Sequence, residues 1–140
     1  VPDEIIRERT ETLLAQVDLS NAGGRRLRTY SKGMVQRAGL ALSMIHDPEL
    51  VILDEPMSGL DPIGRRMVVD LIVDLKNQGK TVFFSSHILA DIERLCDRVA
   101  IMHKGRLQLV GSLEELPGGA DGLESLFINT VAKAEGEGAS

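Results

Sequence analysis

The sequence predicts an α/β fold that contains a parallel sheet. Two short apolar runs, Leu50–Asp54 and Val82–Ser86, flank one long amphipathic segment that begins at Asp61-Pro62 and ends before Gly79. Short apolar runs closed by turn signals are typical of buried strands. Strand, helix and strand in this order are typical of a right-handed unit with two parallel strands. With 140 residues, of which 43% are hydrophobic, the chain is long enough for one domain with a core.

The first third of the chain predicts two helices. Ile5–Val17 carries apolar residues at helical spacing, which indicates an amphipathic helix. Ser31 is a good N-cap for a second helix over Met34–Ile45. His46-Asp47-Pro48 should end that helix, because the residue before proline disfavours the α region.

The segment after the second strand predicts a helix and a hairpin. Ile88–Cys96 has a helical stripe of apolar residues, and Cys96 on that stripe is expected to be a buried core residue. Arg98–His103 and Leu107–Val110 are predicted strands, and Lys104-Gly105 between them is typical of a hairpin turn.

The carboxyl-terminal residues predict weaker structure. Ser112 begins a capping-box pattern, which predicts a short helix through Glu115. A break follows at Leu116–Gly119, and Leu123–Ala134 is expected to form a terminal helix. Glu135–Ser140 is expected to be disordered, since it offers little apolar surface to bury.

Composition excludes several classes of function. The formal net charge of -5 argues against a nucleic-acid-binding surface. No apolar stretch of about 18 residues occurs, so we expect no membrane-spanning helix. The single cysteine cannot form an internal disulfide, which fits a cytoplasmic setting.

Asp54 and Glu55 are the most informative candidates for chemistry. They end the first predicted strand, and the carboxyl ends of parallel strands are where open α/β sheets bind ligands. Two adjacent carboxylates are expensive to bury unpaired. One explanation is that the first carboxylate binds Mg²⁺ beside a phosphate while the second positions a water molecule. The alternative is a simple strand end followed by a turn.

Two further features lie on either side of this strand. Ser31-Lys32-Gly33 begins a predicted helix, whose positive end and free N–H groups could bind an anion. An ordinary helix cap explains the same residues. His87 stands just past the second strand, and a lone histidine there could be structural or functional.

The order of these features resembles the ATP-binding cassette family, the nucleotide-binding domains of ABC transporters. The resemblance covers four motifs between about residues 5 and 116. They are the signature motif at Ser31, Lys32, Gly33 and Met34, the Walker B strand at Leu50–Glu55, the D-loop at Ser58–Asp61, and the switch histidine at His87.

The resemblance implies ATP and Mg²⁺ as cofactors and a role for each of these residues. In the family, two nucleotide-binding domains close head to tail, and each ATP lies between the Walker A loop of one domain and the signature motif of the other. The signature residues, with Ser31 and the Gly33 N–H foremost, would then contact the partner's nucleotide. The remaining implied roles are Mg²⁺ binding by Asp54, general base or water orientation by Glu55, γ-phosphate contact by His87, and coupling across the dimer by Asp61.

Two departures from the family pattern refine the prediction. Lys32 and Met34 replace the usual glycine and glutamine of the signature motif, and a Ser-Lys-Gly-Met form resembles the ATPase subunits of bacterial drug and polysaccharide exporters. The membrane partner of those subunits is a separate permease. The second departure is that G-x-x-x-x-G-K-[ST], the Walker A loop that cradles phosphates, occurs nowhere in the chain.

We therefore expect the chain to be the carboxyl-terminal part of a P-loop NTPase-type three-layer α/β domain. The expected segments are the helical subdomain with the signature helix (1–47), the catalytic-core strands and helices (48–116) and a carboxyl-terminal extension (117–140). In the family sheet, the Walker A strand lies between the strands at Val82–Ser86 and Arg98–His103, so its absence should leave open strand edges.

The resulting functional prediction is an ATP-hydrolysing subunit of an ABC transporter that works as an exporter, and we expect the chain to be inactive when it is alone. Such a subunit would lie in the cytoplasm on the inner face of the cell membrane, bound to a permease and to a second nucleotide-binding domain. Two alternatives are a non-transport ABC ATPase that acts on DNA or ribosomes, and a truncated module that only binds partners.

Overall fold

The computed structural model describes residues 2–116 and 122–137, which fall into two compact units that divide between Ser86 and His87. The helices in the described residues are Asp3–Gln16 (α1), Lys32–Ser43 (α2), Pro62–Asn77 (α3), Leu89–Leu95 (α4) and Leu123–Glu137 (α5). The strands are Leu50–Leu53 (β1), Thr81–Phe84 (β2), Arg98–His103 (β3) and Arg106–Ser112 (β4). Within the same residues, no helix has the length and apolar character needed to cross a lipid bilayer.

The first unit contains the predicted strand–helix–strand element. β1 and β2 are parallel, and their register pairs Leu50 with Thr81 and Leu53 with Phe84. α3 connects the two strands and packs against β2. The parallel prediction is therefore confirmed.

Local sequence signals set both ends of α3. The Asp61 carboxylate accepts a hydrogen bond of 2.7 Å from the Gly64 N–H, and Pro62 occupies the first helical turn. Gly79 follows the helix with a φ of 77°, a left-handed conformation that glycine adopts without steric cost. The predicted start and end of this helix are thus confirmed.

The core of the first unit lies on one side of the β1–β2 sheet. Val51 and Leu53 of β1 are buried, whereas Leu50 and Ile52 are 51% and 68% exposed, and Phe83 of β2 is 61% exposed. The apolar run at 50–54 predicts a strand buried on both faces, and this expectation is wrong for the described residues. Side chains of paired residues in parallel strands share a face, so these exposed side chains form one apolar surface.

The second unit is built on the predicted hairpin. β3 and β4 are antiparallel, with a register shift between Ile101 and Met102. Lys104 and Gly105 join the strands with φ values of 47° and 73°. Left-handed residues at both turn positions match the twist of the flanking strands. The core of this unit contains Val99, Leu113 and Leu123 with partly buried Leu89, Ile92, Cys96, Leu116 and Leu126 packed against it.

Three predictions for this second unit need correction. Ser112 ends β4 and caps no helix. Residues 113–116 form a turn instead, because the Leu113 N–H donates to the Asp97 carbonyl and the Leu113 side chain enters the core.

The carboxyl-terminal helix is longer than predicted, because Glu135 continues α5 and lies 3.5 Å from both His103 and Lys104. Cys96 is only partly buried, although it packs against the core. Residues 117–119 of the predicted break and 138–140 of the predicted disordered tail lie outside the described residues.

An ion-pair cluster joins three segments of the first unit. The Asp47 carboxylate lies 2.6 Å from Lys80 Nζ and 3.3 Å from Arg9 of α1. Lys80 also donates to the Pro48 carbonyl, at 3.0 Å. The hydrogen bond and positive charge of Lys80 lower the pKa of the Asp47 carboxyl below its ordinary value of 3.8, with a smaller contribution from Arg9.

We predict that this cluster stabilises the first unit in a pH-dependent manner. Because the folded-state pKa of Asp47 is lowered, its stabilisation is present above pH 3.8 and is lost as pH falls through the lower folded-state pKa. Urea unfolding of the unaltered chain, Lys80→Met, Asp47→Asn and the double variant across this pH range gives the coupling between the two residues. Asn keeps the left-handed backbone of residue 47, whose φ is 54°. A coupling that does not change with pH would contradict the prediction.

Candidate functional site

The two predicted acids lie at the carboxyl end of β1. The strand ends at Leu53, Asp54 is exposed, and Glu55 is partly buried. Glu55 has a φ of 45°, and its carbonyl accepts a hydrogen bond of 3.0 Å from the Ser58 N–H. The chain therefore makes a tight turn directly at the second acid. A left-handed backbone at a residue other than glycine costs about 1–2 kcal/mol, so the surrounding contacts must hold Glu55 there.

Ser85 is the first contact that holds this turn. It follows β2 directly, and its N–H donates to the Leu53 carbonyl at 3.0 Å. Its hydroxyl donates to Asp54 Oδ1 at 2.6 Å and accepts from the Glu55 N–H at 2.8 Å. One serine thus bonds both the carboxylate of the first acid and the backbone of the second.

Gln36 is the second contact, and it comes from α2. Its Nε2 donates to the Pro56 carbonyl at 2.7 Å and lies 3.4 Å from the Glu55 carbonyl. The bond bridges 20 residues of sequence. The helix that begins at the predicted signature motif is therefore bonded directly to the turn that carries the two acids.

The amino terminus of α2 has the predicted cap. Ser31 Oγ accepts a hydrogen bond of 3.3 Å from the Met34 N–H, and both Ser31 and Lys32 are exposed. Lys32 Nζ lies 3.7 Å from the position that a side-chain carbon would occupy on Gly59. A side-chain carbon on Gly33 would lie 3.6 Å from Leu60 Cδ2. The predicted signature and D-loop segments are therefore neighbours.

The structure brings most of the predicted site residues into the first unit. Those residues are Ser31, Lys32, Gly33, Met34, Asp54, Glu55 and Asp61. Asp61 is the cap of α3, and its predicted coupling role stays a prediction. His87 is exposed and begins the second unit, so its contact with a γ-phosphate also stays a prediction.

Sequence reasoning missed Ser85 and Gln36. The signal for Ser85 was present, because a hydroxyl that follows one parallel strand lies beside acids that follow its neighbour. The sequence carries no comparable signal for Gln36, since its contact depends on how α2 packs against the end of β1.

The donor set at this site fits a magnesium ion bound together with phosphate. Among the described residues, no group of three or more His, Cys, Asp or Glu side chains is arranged to hold a metal ion. Mg²⁺ is usually bound by one or two carboxylates, with water and phosphate oxygens as the other ligands. Asp54 is exposed and uses one carboxylate oxygen for Ser85, which leaves a second oxygen for a cation.

Comparison with known proteins identifies the family. The model of the family described as ABC transporter matches residues 3–58. An uncharacterized ABC transporter ATP-binding protein of Synechocystis sp. is 54% identical over 136 residues, which cover 94% of this chain and 38% of the relative. The chain belongs to the ABC transporter family. A fluoroquinolones export ATP-binding protein of Mycobacterium tuberculosis is 48% identical over 104 residues, covering 74% of this chain and 35% of that protein.

A solved structure of an ATP-binding subunit of an ABC transporter confirms the fold class. It superposes with a TM-score of 0.81 at 29% identity, over 93% of this chain and 56% of that structure. The chain is thus a partial P-loop NTPase-type α/β domain of the ABC family. It spans well under half the length of the two relatives above, at 38% and 35%.

We predict that Glu55→Gly is more stable than Glu55→Ala by about 1 kcal/mol, because glycine adopts a left-handed backbone without steric cost. Both variants lack the carboxylate, so the comparison isolates the backbone. Urea unfolding measures the difference. The control is Asp70 on the exposed side of α3, where Ala should be the more stable variant by about 1 kcal/mol. Equal stability of the two Glu55 variants would contradict the strain at this turn.

Proposed function

We propose that this chain supplies the carboxylates and the signature helix of an ATP-hydrolysing ABC transporter subunit. The observation that carries the proposal is the Asp54–Glu55 pair at the carboxyl end of β1, held by Ser85 and bonded through Gln36 to α2. A strand end with two acids and a capped helix beside it combines a cation ligand, a base and an anion-binding helix terminus.

The two acids take different roles in this proposal. Asp54, the exposed acid, holds Mg²⁺ directly or through water. Mg²⁺, when bound, neutralises charge on the phosphate oxygens. Glu55, one residue further, accepts a proton from the attacking water or orients that water for in-line attack. His87 contributes a contact to the γ-phosphate and the water.

The amino terminus of α2 takes the role of an anion contact. Ser31 and the Gly33 N–H contact the γ-phosphate of a nucleotide held by a second domain, and Lys32 adds a positive charge. Met34 completes the signature motif. Because the chain contains no G-x-x-x-x-G-K-[ST] loop, such a loop must come from another segment or chain for a complete site. Asp61 couples the two sites of the head-to-tail dimer.

We further propose that the two nucleotide-binding domains lie on the cytoplasmic face of a membrane and drive export of a cargo through a separate permease. The Ser-Lys-Gly-Met motif supports this proposal, and so does the 48% identity to a fluoroquinolones export ATP-binding protein. ATP-driven closure of the two nucleotide-binding domains would pass to the permease as a rigid-body movement.

A second candidate function is a module that binds partners without catalysis. The missing phosphate loop favours it for the chain by itself. Mg-ATP binding separates the candidates when it is measured in the isolated chain and in a joined protein. The joined protein consists of this chain preceded by an ABC-family segment that carries G-x-x-x-x-G-K-[ST].

We predict that titration calorimetry detects no Mg-ATP binding to the isolated chain, because the phosphate loop supplies most contacts to the α- and β-phosphates. The joined protein should bind Mg-ATP. Asp54→Ala is the control in both forms. Binding to the isolated chain that disappears in Asp54→Ala would contradict the need for a phosphate loop. Absence of binding to the joined protein would favour the partner-binding module.

We predict that Glu55→Gln in the joined protein lowers the ATPase kcat by about 100-fold or more, while Mg-ATP still binds and favours dimer formation. The amide keeps the shape of the side chain and loses its basicity. Glu49→Gln is the matched control, since Glu49 precedes the opposite end of β1 and is exposed. Turnover at the unaltered rate in Glu55→Gln would remove Glu55 from the proposed role.

A further inference from the structure

Two side chains far apart in sequence hold the turn that carries the acids. Ser85 bonds the turn at its start, through the Asp54 carboxylate and the Glu55 N–H, at 2.6 and 2.8 Å. Gln36 bonds it further along, through the Pro56 carbonyl at 2.7 Å. Glu55 lies between these two anchor points with its left-handed backbone.

The hydrogen bonds of Ser85 use its hydroxyl in both directions. A serine hydroxyl has one proton to donate and can accept in return. Here the proton goes to Asp54 Oδ1, and the Glu55 N–H donates to the same oxygen of Ser85. The bond to the carboxylate is charge-assisted and short, which makes it one of the stronger kinds of hydrogen bond. Ser85 therefore orients the first acid and fixes the backbone of the second with a single atom.

Gln36 adds a constraint that comes from a different element. Its amide reaches the Pro56 carbonyl from the body of α2, and Gln36 is partly buried. The side chain donates, so an isosteric carboxylate at this position could not make the bond and would face the carbonyl oxygen. α2 begins at the residues that would contact phosphate. Gln36 consequently fixes the distance between that helix and the acid-bearing turn.

We propose that Ser85 and Gln36 are positioning residues for ATP hydrolysis, and that they act by holding Asp54 and the left-handed Glu55 in the turn after β1. The inference rests on the proposed function. Neither residue needs to touch nucleotide. Small displacements of a general base or a cation ligand reduce the rate of the chemical step, because catalysis here depends on geometry and electrostatics.

The test has two parts, beginning with hydrogen exchange in the isolated chain. The Glu55 amide is bonded to Ser85 Oγ, so Ser85→Ala should make this amide exchange about tenfold faster, while amides in the middle of α3 keep their rates. Ser85→Thr retains a hydroxyl and should restore the slow exchange. Ser43→Ala is the matched control, because the Ser43 hydroxyl bonds only within α2 in the described contacts, to Leu40.

The second part measures steady-state kinetics in the joined protein. Ser85→Ala and Gln36→Glu should each lower kcat about tenfold with little change in the KM for Mg-ATP, and Ser85→Thr should recover most of the rate. Gln108→Glu is the control for the glutamine change, since Gln108 lies on β4 in the second unit. Gln36→Glu also provides the test without altering the strand end, should Ser85→Ala fold poorly.

The outcomes separate this inference from the proposed function. An active unaltered joined protein whose kcat is unchanged by both Ser85→Ala and Gln36→Glu would overturn the inference alone. A rate that falls equally in the Ser43→Ala and Gln108→Glu controls would also overturn it. If the unaltered joined protein binds Mg-ATP and does not hydrolyse it, the proposed function fails, and the positioning role fails with it even where the exchange result holds.

Discussion

The parallel pairing of β1 with β2 is the constraint on which the candidate site depends. The register that sets Leu53 beside Phe84 brings the residues after each strand to the same edge, so that Ser85 reaches Asp54 and Glu55. A slip of one residue would turn the side chains of β2 to the opposite faces. The Ser85 hydroxyl would then no longer reach the two acids. The buried side chains of Val51 and Leu53 would also no longer share a face with the inward side chains of β2.

α2 connects this edge to the rest of the first unit through two adjacent residues. Gln36 bonds the Pro56 carbonyl, while Arg37 donates to the Val17 and Asp18 carbonyls at 3.1 and 3.3 Å, at the end of α1. Neighbouring positions on a helix point about 100° apart, so the two side chains can reach different segments. The helix that would present its amino terminus to phosphate is thus held by polar bonds on two sides.

Much of this architecture could be predicted from sequence because its signals are local. Asp61-Pro62, Ser31 and Lys104-Gly105 each specify a helix start or a turn through bonds or backbone angles within four residues, and all three predictions are confirmed. Ser112 shows where local signals fail, since the burial of Leu113 and its bond to Asp97 override the capping-box pattern. The acids Asp54 and Glu55 were predicted from their place after a strand. Their support by Gln36 depends on packing across 20 residues, which no local pattern reveals.

The cap of α3 also limits how the chain can change over evolutionary time. Asp61 holds the Gly64 N–H at 2.7 Å, and a side-chain carbon on Gly64 would approach the same carboxylate oxygen to 2.9 Å. Position 61 therefore tolerates few residues, because only short side chains with an oxygen acceptor keep the cap. Position 64 is restricted to glycine as long as residue 61 is an aspartate in this conformation, because any side-chain carbon would crowd the carboxylate oxygen. Substitutions at the two positions are thus coupled, so that a change at one alters which residues the other can accept.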